Sequence, residues 1–144
     1  MDKVKQSVSC FKEGFNCSQS VFSTFAVEMG MDRNTALKVS QGFGGGMGGM
    51  GETCGAVTGA FMVIGLKYGR IRADDDEAKL KTYALVQEFT KRFKARHGTI
   101  VCRELLGCDI GTPEGHRIAK EEKLVSTLCP RFVQDAAEII EEIL

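Results

Sequence analysis

The chain carries no excess charge: nineteen Lys and Arg balance nineteen Asp and Glu across 144 residues. That removes the electrostatic footprint that nucleic-acid binding requires. Proline is scarce, with two residues, which excludes a Pro-rich linker or tail. Long hydrophobic runs are missing as well. The longest apolar stretch, Ala60 to Leu66, includes Gly65 and is far too short to span a bilayer. The polar start, Met1 to Gln6, leads into no secretory hydrophobic region. The expectation is a cytoplasmic protein with no transmembrane segment. No convincing alternation of period two marks a strand, and no internal repeat is visible. The length suits one domain over residues 1–144, and 43% hydrophobic with 26% charged residues is an ordinary globular balance.

Helical periodicity runs through almost the whole chain. Val4, Val8 and Phe11 share one face of a first helix that Gly14 ends. Asn16 caps a second, with Val21, Phe22, Phe25 and Met29 facing inward and Gly30 as its stop. Asp32 caps a third, through Ala36, Leu37, Val39 and Ser40. A nearly all-apolar helix should follow from Cys54 to about Tyr68. Its lack of a polar face predicts a central, buried position, and Gly51, Gly55 and Gly59 recur every four residues, so that another backbone can approach. Asp74, Asp75 and Asp76 open a fifth helix with Tyr83, Val86, Phe89 and Phe93 as its stripe; Gly98 stops it. A short helix over Cys102 to Leu106 ends at Gly107. Thr112 and Pro113 start another, and Cys129-Pro130 is read as opening the last, with Val133, Ala136, Ala137, Ile140 and Leu144 inward. The expected fold class is therefore all-α, a single domain of six to eight helices around a central glycine-rich apolar helix.

Glycine and cysteine are what the chain has in plenty: seventeen and six. A reducing cytosol does not support a structural disulfide framework, so six cysteines point to metal, cluster or redox chemistry. Cys17, Cys54, Cys102 and Cys129 sit where helices are expected to begin. Free N–H groups and the dipole there stabilise a thiolate, drawing its pKa down from about 8.5. Cys10 lies mid-helix and Cys108 in a Gly107-Cys108-Asp109 turn. There is no CxxC pair, so no local zinc or thioredoxin motif is present.

The glycine loop from Gly42 to Gly51 contains Gly46-Met47-Gly48-Gly49-Met50-Gly51, which fits G-x-G-x-x-G. A helical rather than a strand segment precedes it and no Lys-Ser/Thr follows, against a nucleotide site. The glycines instead let backbone pack beside Cys54. In a sharper form of that reading, Gly46, Gly48, Gly51 and Gly55 present N–H groups to the sulfurs of a bound cluster. Met47 and Met50 are read as packing residues. His97, near Cys102 in sequence, and His116 are read as surface residues, and Glu138, Glu141 and Glu142 as a solvated face.

The run Cys54-Gly55-Ala56-Val57-Thr58-Gly59, with Phe15 to Val21, Cys102 to Gly107 and Cys129 to Val133 around it, resembles the C_GCAxxG_C_C family of redox-active bacterial proteins, in its CGAxxG form. The resemblance covers nearly the whole chain in order. It implies four recurring cysteines, here Cys17, Cys54, Cys102 and Cys129, with Cys10 and Cys108 outside that set. More distantly, the chain is similar to the cysteine-bearing part of split-Soret cytochromes c, dimers that bind an iron–sulfur cluster as well as haem. The haem half does not carry over, because no C-x-x-C-H motif is present.

Three functions follow as expectations. In the first, Cys17, Cys54, Cys102 and Cys129 are metal ligands to an iron–sulfur cluster, [2Fe–2S] as the first choice, in a small electron carrier with a separate redox partner protein. In the second, a metal-free thiol–disulfide protein uses Cys54 as the attacking group and Cys102, Cys108 or Cys129 as resolving partner. In the third, the chain is a zinc- or copper-binding structural module. The glycine-rich helix face would suit a homodimer.

Overall fold

A computed structural model describes residues 2–144, so Met1 of the polar start lies outside the described residues. Eight helices make up the fold of the described residues: α1 (Lys3–Lys12), α2 (Cys17–Glu28), α3 (Arg33–Gln41), α4 (Gly55–Tyr68), α5 (Asp76–His97), α6 (Cys102–Leu106), α7 (Pro113–Glu121) and α8 (Leu124–Ile143). No strand occurs among the described residues, only an isolated antiparallel bridge between Thr53 and Val101. No helix among them is long and apolar enough to cross a membrane. The all-α expectation holds, at the upper end of its helix number.

Most helix starts follow the sequence signals. Asn16 accepts from the Gln19 amide at 2.9 Å while the Gln19 side chain accepts from the Asn16 amide at 3.1 Å, a reciprocal cap. Asp2, Asp32, Asp75 and Thr112 cap α1, α3, α5 and α7 through their side chains. Gly98 and Gly107 close α5 and α6 in the left-handed conformation.

The last helix departs from its expected start. α8 begins at Leu124 rather than at Cys129-Pro130, so Cys129 lies inside the helix and not at its N-terminus. Lys123, at φ +54°, turns the chain sharply from α7 into α8, and the Thr127 amide bonds the Lys123 carbonyl at 3.1 Å. Pro130 deprives the Ser126 carbonyl of its i+4 donor, yet the helix continues, because the packing of its later turns outweighs the local cost. Three expected core residues are also on the surface. Met29 falls at the cap of α2, and Val39 and Tyr83 are at the edges of their stripes, all exposed.

α4 is the central helix. Ala56, Val57, Ala60, Val63 and Ile64 are fully buried among Val21 of α2, Phe89 of α5, and Val133, Ala136 and Ile140 of α8. Its glycines set the distance to α2. A Cβ on Gly59 would stand 2.9 Å from the Ser18 carbonyl oxygen and 3.2 Å from Val21 Cβ; one on Gly55 would stand 3.2 Å from Cys17 Cβ. On the opposite side, α5 is strapped to α8 by Arg96, which reaches Asp135, Glu138 and Glu142, and by Arg92, which reaches Glu142. Glu138 and Glu142 are thus partners in a network rather than a merely solvated face.

A paired substitution separates close approach from helix propensity. Gly59→Ala should lower stability by about 1–3 kcal/mol, because backbone on α2 must move. Gly65→Ala, whose Cβ meets open space, should be neutral or stabilising by up to about 1 kcal/mol. Urea midpoints of the two variants check this, and equal midpoints would remove the close-packing argument.

Candidate functional site

Cys17, Cys54, Cys102 and Cys129 all line one cavity of about 620 Å³. All four are buried, the most exposed at 8%. Each arrives by a different device. Cys17 is the first residue of α2, placed by the Asn16–Gln19 cap. Cys54 is the N-cap of α4. Cys102 opens α6, and it is tied to Cys54 by short antiparallel pairing: the Cys54 amide donates to the Ile100 carbonyl at 2.8 Å and the Cys102 amide to the Glu52 carbonyl at 2.6 Å. Cys129 comes from within α8.

The glycine loop forms the next part of the wall. Gly45 to Gly49 run consecutively at φ between +63° and +78°, with Met47 the one non-glycine among them, so the loop is a left-handed turn rather than a slack connection. Glu52 closes it by donating to the Gly46 carbonyl at 2.8 Å. Gly46 is required twice over. Its φ is +68°, and a Cβ there would stand 2.7 Å from Cys102 Cβ. Gly46 is buried, and its own amide donates to no acceptor among the described residues. Gly46 and Gly55 line the cavity, whereas Gly48 and Gly51 stand apart from it. Gly48 faces the Gly42 carbonyl, and the Gly51 carbonyl anchors α6 by accepting from the Arg103 amide at 3.1 Å and from Arg103 Nη1 at 3.2 Å.

Burial and crowding decide the ionisation of these thiols. Desolvation pushes Cys54 up to about 12, although the amides of Ala56 and Val57 at the start of α4 favour its thiolate. Cys102 rises to about 11, through burial first and then repulsion from Cys129, Cys108 and Asp109. Cys17 is held well above the usual thiol range by sharing its proton with Cys129, by burial, and by repulsion from the other three. Cys129 is lowered by the same shared proton. The helix-end argument for easy thiolates therefore fails at Cys17, Cys54 and Cys102, where the proton shared with Cys129 at the first and loss of water at the other two keep the thiols protonated. In a protein without bound cation the site resists carrying several negative charges at once.

The other sequence candidates lie elsewhere. Cys10 is buried between α1 and α2, its sulfur 3.9 Å from Ser23 Oγ. Cys108 is half-buried beyond Cys102 and does not line the cavity. His97 pairs with Asp135 at 2.7 Å and stacks near Phe93 and Phe132, so it joins α5 to α8. Met50 is exposed, and neither Met47 nor Met50 lines the cavity. Sequence reasoning missed the rim, where His116, Lys120 and Lys123 line the opening. The i, i+4 spacing of His116 and Lys120 on α7 was the available signal; Lys123 lies past the helix end, in the left-handed turn into α8. No three His, Cys, Asp or Glu side chains among the described residues stand close enough together to hold one metal ion.

The raised thiols make stability depend on pH with a definite sign. Between about pH 9 and the folded pKa, the native state keeps protons that the unfolded chain has released, so stability falls as pH rises. For Cys54, the fully buried thiol with a folded pKa of about 12, the slope approaches about 1.4 kcal/mol per pH unit. Chelator-treated protein should lose stability steadily above about pH 9, and Cys54→Ser should flatten that loss. A pH-independent denaturation midpoint from pH 8 to 11 would contradict it.

No curated protein and no solved structure matches the chain. The family model described as "Putative redox-active protein (C_GCAxxG_C_C)" matches residues 15–143, a stretch that holds all eight helices except α1 and all four cavity cysteines. The chain belongs to the C_GCAxxG_C_C family of redox-active proteins.

Proposed function

We propose that the protein is a small cytoplasmic electron carrier in which Cys17, Cys54, Cys102 and Cys129 hold an iron–sulfur cluster. The observation that carries this reading is the lining of one cavity by four buried thiols drawn from four separate helix contexts. Four thiolates are the ligand set of a [2Fe–2S] or [4Fe–4S] centre. Such a centre spreads its ligands over more than one iron, so the thiols need not meet at a point.

The electrostatics support the same reading. The site disfavours four bare thiolates, and a cationic iron core would relieve both the repulsion and the loss of water. Gly46 lines the cavity with an amide that donates to no acceptor among the described residues, a donor available to a sulfur atom. When bound, the cluster supplies one-electron redox chemistry. The protein's part is to hold the ligands, exclude water from them and leave one opening toward solvent.

A second reading rests on Cys17 and Cys129. Their shared proton favours a dithiol couple at that pair rather than at Cys54 and Cys102. The Cys129 thiolate would attack a disulfide substrate, releasing one thiolate from it. Cys17 would then displace the second, leaving a Cys17–Cys129 disulfide and a dithiol product.

Anaerobic purification with iron available separates the two. The cluster reading expects a brown protein, visible charge-transfer bands and matched iron and acid-labile sulfide. Serine at any one of Cys17, Cys54, Cys102 or Cys129 should then bleach it or lower its cluster content at least about tenfold, whereas Cys10→Ser and Cys108→Ser retain the colour. A colourless protein without iron, whose thiol count rises by two on reduction and loses that rise in Cys129→Ser, would replace the first reading with the second.

A further inference from the structure

The cavity is larger and differently walled than cysteine ligation alone requires. Its volume of about 620 Å³ falls in the range of small-molecule pockets, roughly 300–1,000 Å³. Beyond the cysteines its wall is apolar, with Phe11, Phe15, Leu105, Ile110 and Val125. Two cationic side chains, Lys120 and Lys123, line its opening beside His116, and no Asp or Glu lines it among the described residues.

The acidic residues of α7, Glu114 and Glu121, are both held by Arg117, the latter at 2.8 Å. Lys120 and Lys123 make no ion pair among the described residues and stand on the cavity side. Two free ammonium groups over an apolar-walled opening concentrate attraction for a negative group that enters it.

We propose that this cavity binds a small organic anion: an apolar body seated against Phe15, Ile110 and Val125, with its carboxylate, sulfonate or phosphate held by Lys120 and Lys123. The ligand then lies over the cysteines, and the redox centre serves a bound small molecule. The inference builds on the cysteine site proposed above, but not on which metal group that site holds.

The probe is 1-anilinonaphthalene-8-sulfonate, with uncharged N-phenyl-1-naphthylamine as its control, titrated fluorimetrically into the full-length protein as purified. The sulfonate should bind saturably, one per chain. Lys120→Gln with Lys123→Gln should weaken it about tenfold or more while leaving the neutral probe within about twofold. Lys91→Gln with Lys94→Gln, away from the opening, should change neither. Val125→Trp, which fills the mouth, should weaken both probes. Absence of saturable binding, or binding indifferent to the Lys120/Lys123 and Val125 substitutions, would overturn the proposal, and would leave the opening to an acidic protein partner or to solvent. The outcome is separable from the cluster test. A brown protein that fails here loses only the anion pocket. A colourless one that shows charge-selective binding keeps the pocket and loses the cluster.

Discussion

The close seating of α4 on α2 is the contact on which the site depends. Two glycines, Gly55 and Gly59, bring the backbone of α4 against Cys17, Ser18 and Val21. Any side chain at Gly59 would push the helices apart. Because Cys54 is the N-cap of α4 and Cys17 the first residue of α2, the same contact that packs the core sets those two thiols beside one cavity. The spacing of Cys54, Gly55 and Gly59 is therefore a statement about geometry as much as about chemistry: one residue supplies a sulfur, and the next two supply the room for its neighbour.

The glycine loop extends that logic to Cys102. A left-handed turn through Gly45–Gly49 brings Gly46 into contact with Cys102, and the short pairing of residues 52–54 with 100–102 fixes Cys102 against Cys54 in register. Packing thus draws three of the thiols together before any cation is considered. The consequence is an electrostatic cost. Burial at Cys54 and Cys102, and the proton shared with Cys129 at Cys17, hold these thiols protonated, and repulsion between neighbouring thiols around one space adds to both. Folding energy from the apolar helices keeps together groups that would otherwise repel, the usual signature of a site assembled for use rather than for stability.

Much of this was readable from the residues. Caps such as Asn16, Asp32 and Thr112 announce themselves locally, since a side-chain oxygen ahead of an apolar run has few other uses. The buried position of α4 followed from its want of a polar face. What local signals did not reveal depends on distant partners. Pro130 has the local look of a helix start, although the packing of α8 against α1 and α4 carries the helix back to Leu124. The expected low thiol pKa values at Cys17, Cys54 and Cys102 rest on helix ends alone, while the proton shared with Cys129 at Cys17 and burial at Cys54 and Cys102, all tertiary properties, reverse the sign. Glu138 and Glu142 gave no hint that Arg92 and Arg96 from another helix would engage them.

The early α8 start also accounts for the character of the opening. Had α8 begun at Pro130, Lys123 to Ser126 would belong to a loop with no fixed relation to the cysteines. Instead the left-handed turn at Lys123 folds α7 directly back onto α8. This places Lys120 and Lys123 on the rim and Val125, Ser126 and Cys129 along the wall of the same cavity. Cys129 is thereby linked to the cationic edge through fewer than two helical turns of one rigid element. The chain segment that completes the thiol set is the segment that charges the entrance, so the environment of the fourth thiol and access to the site are set by one local structure.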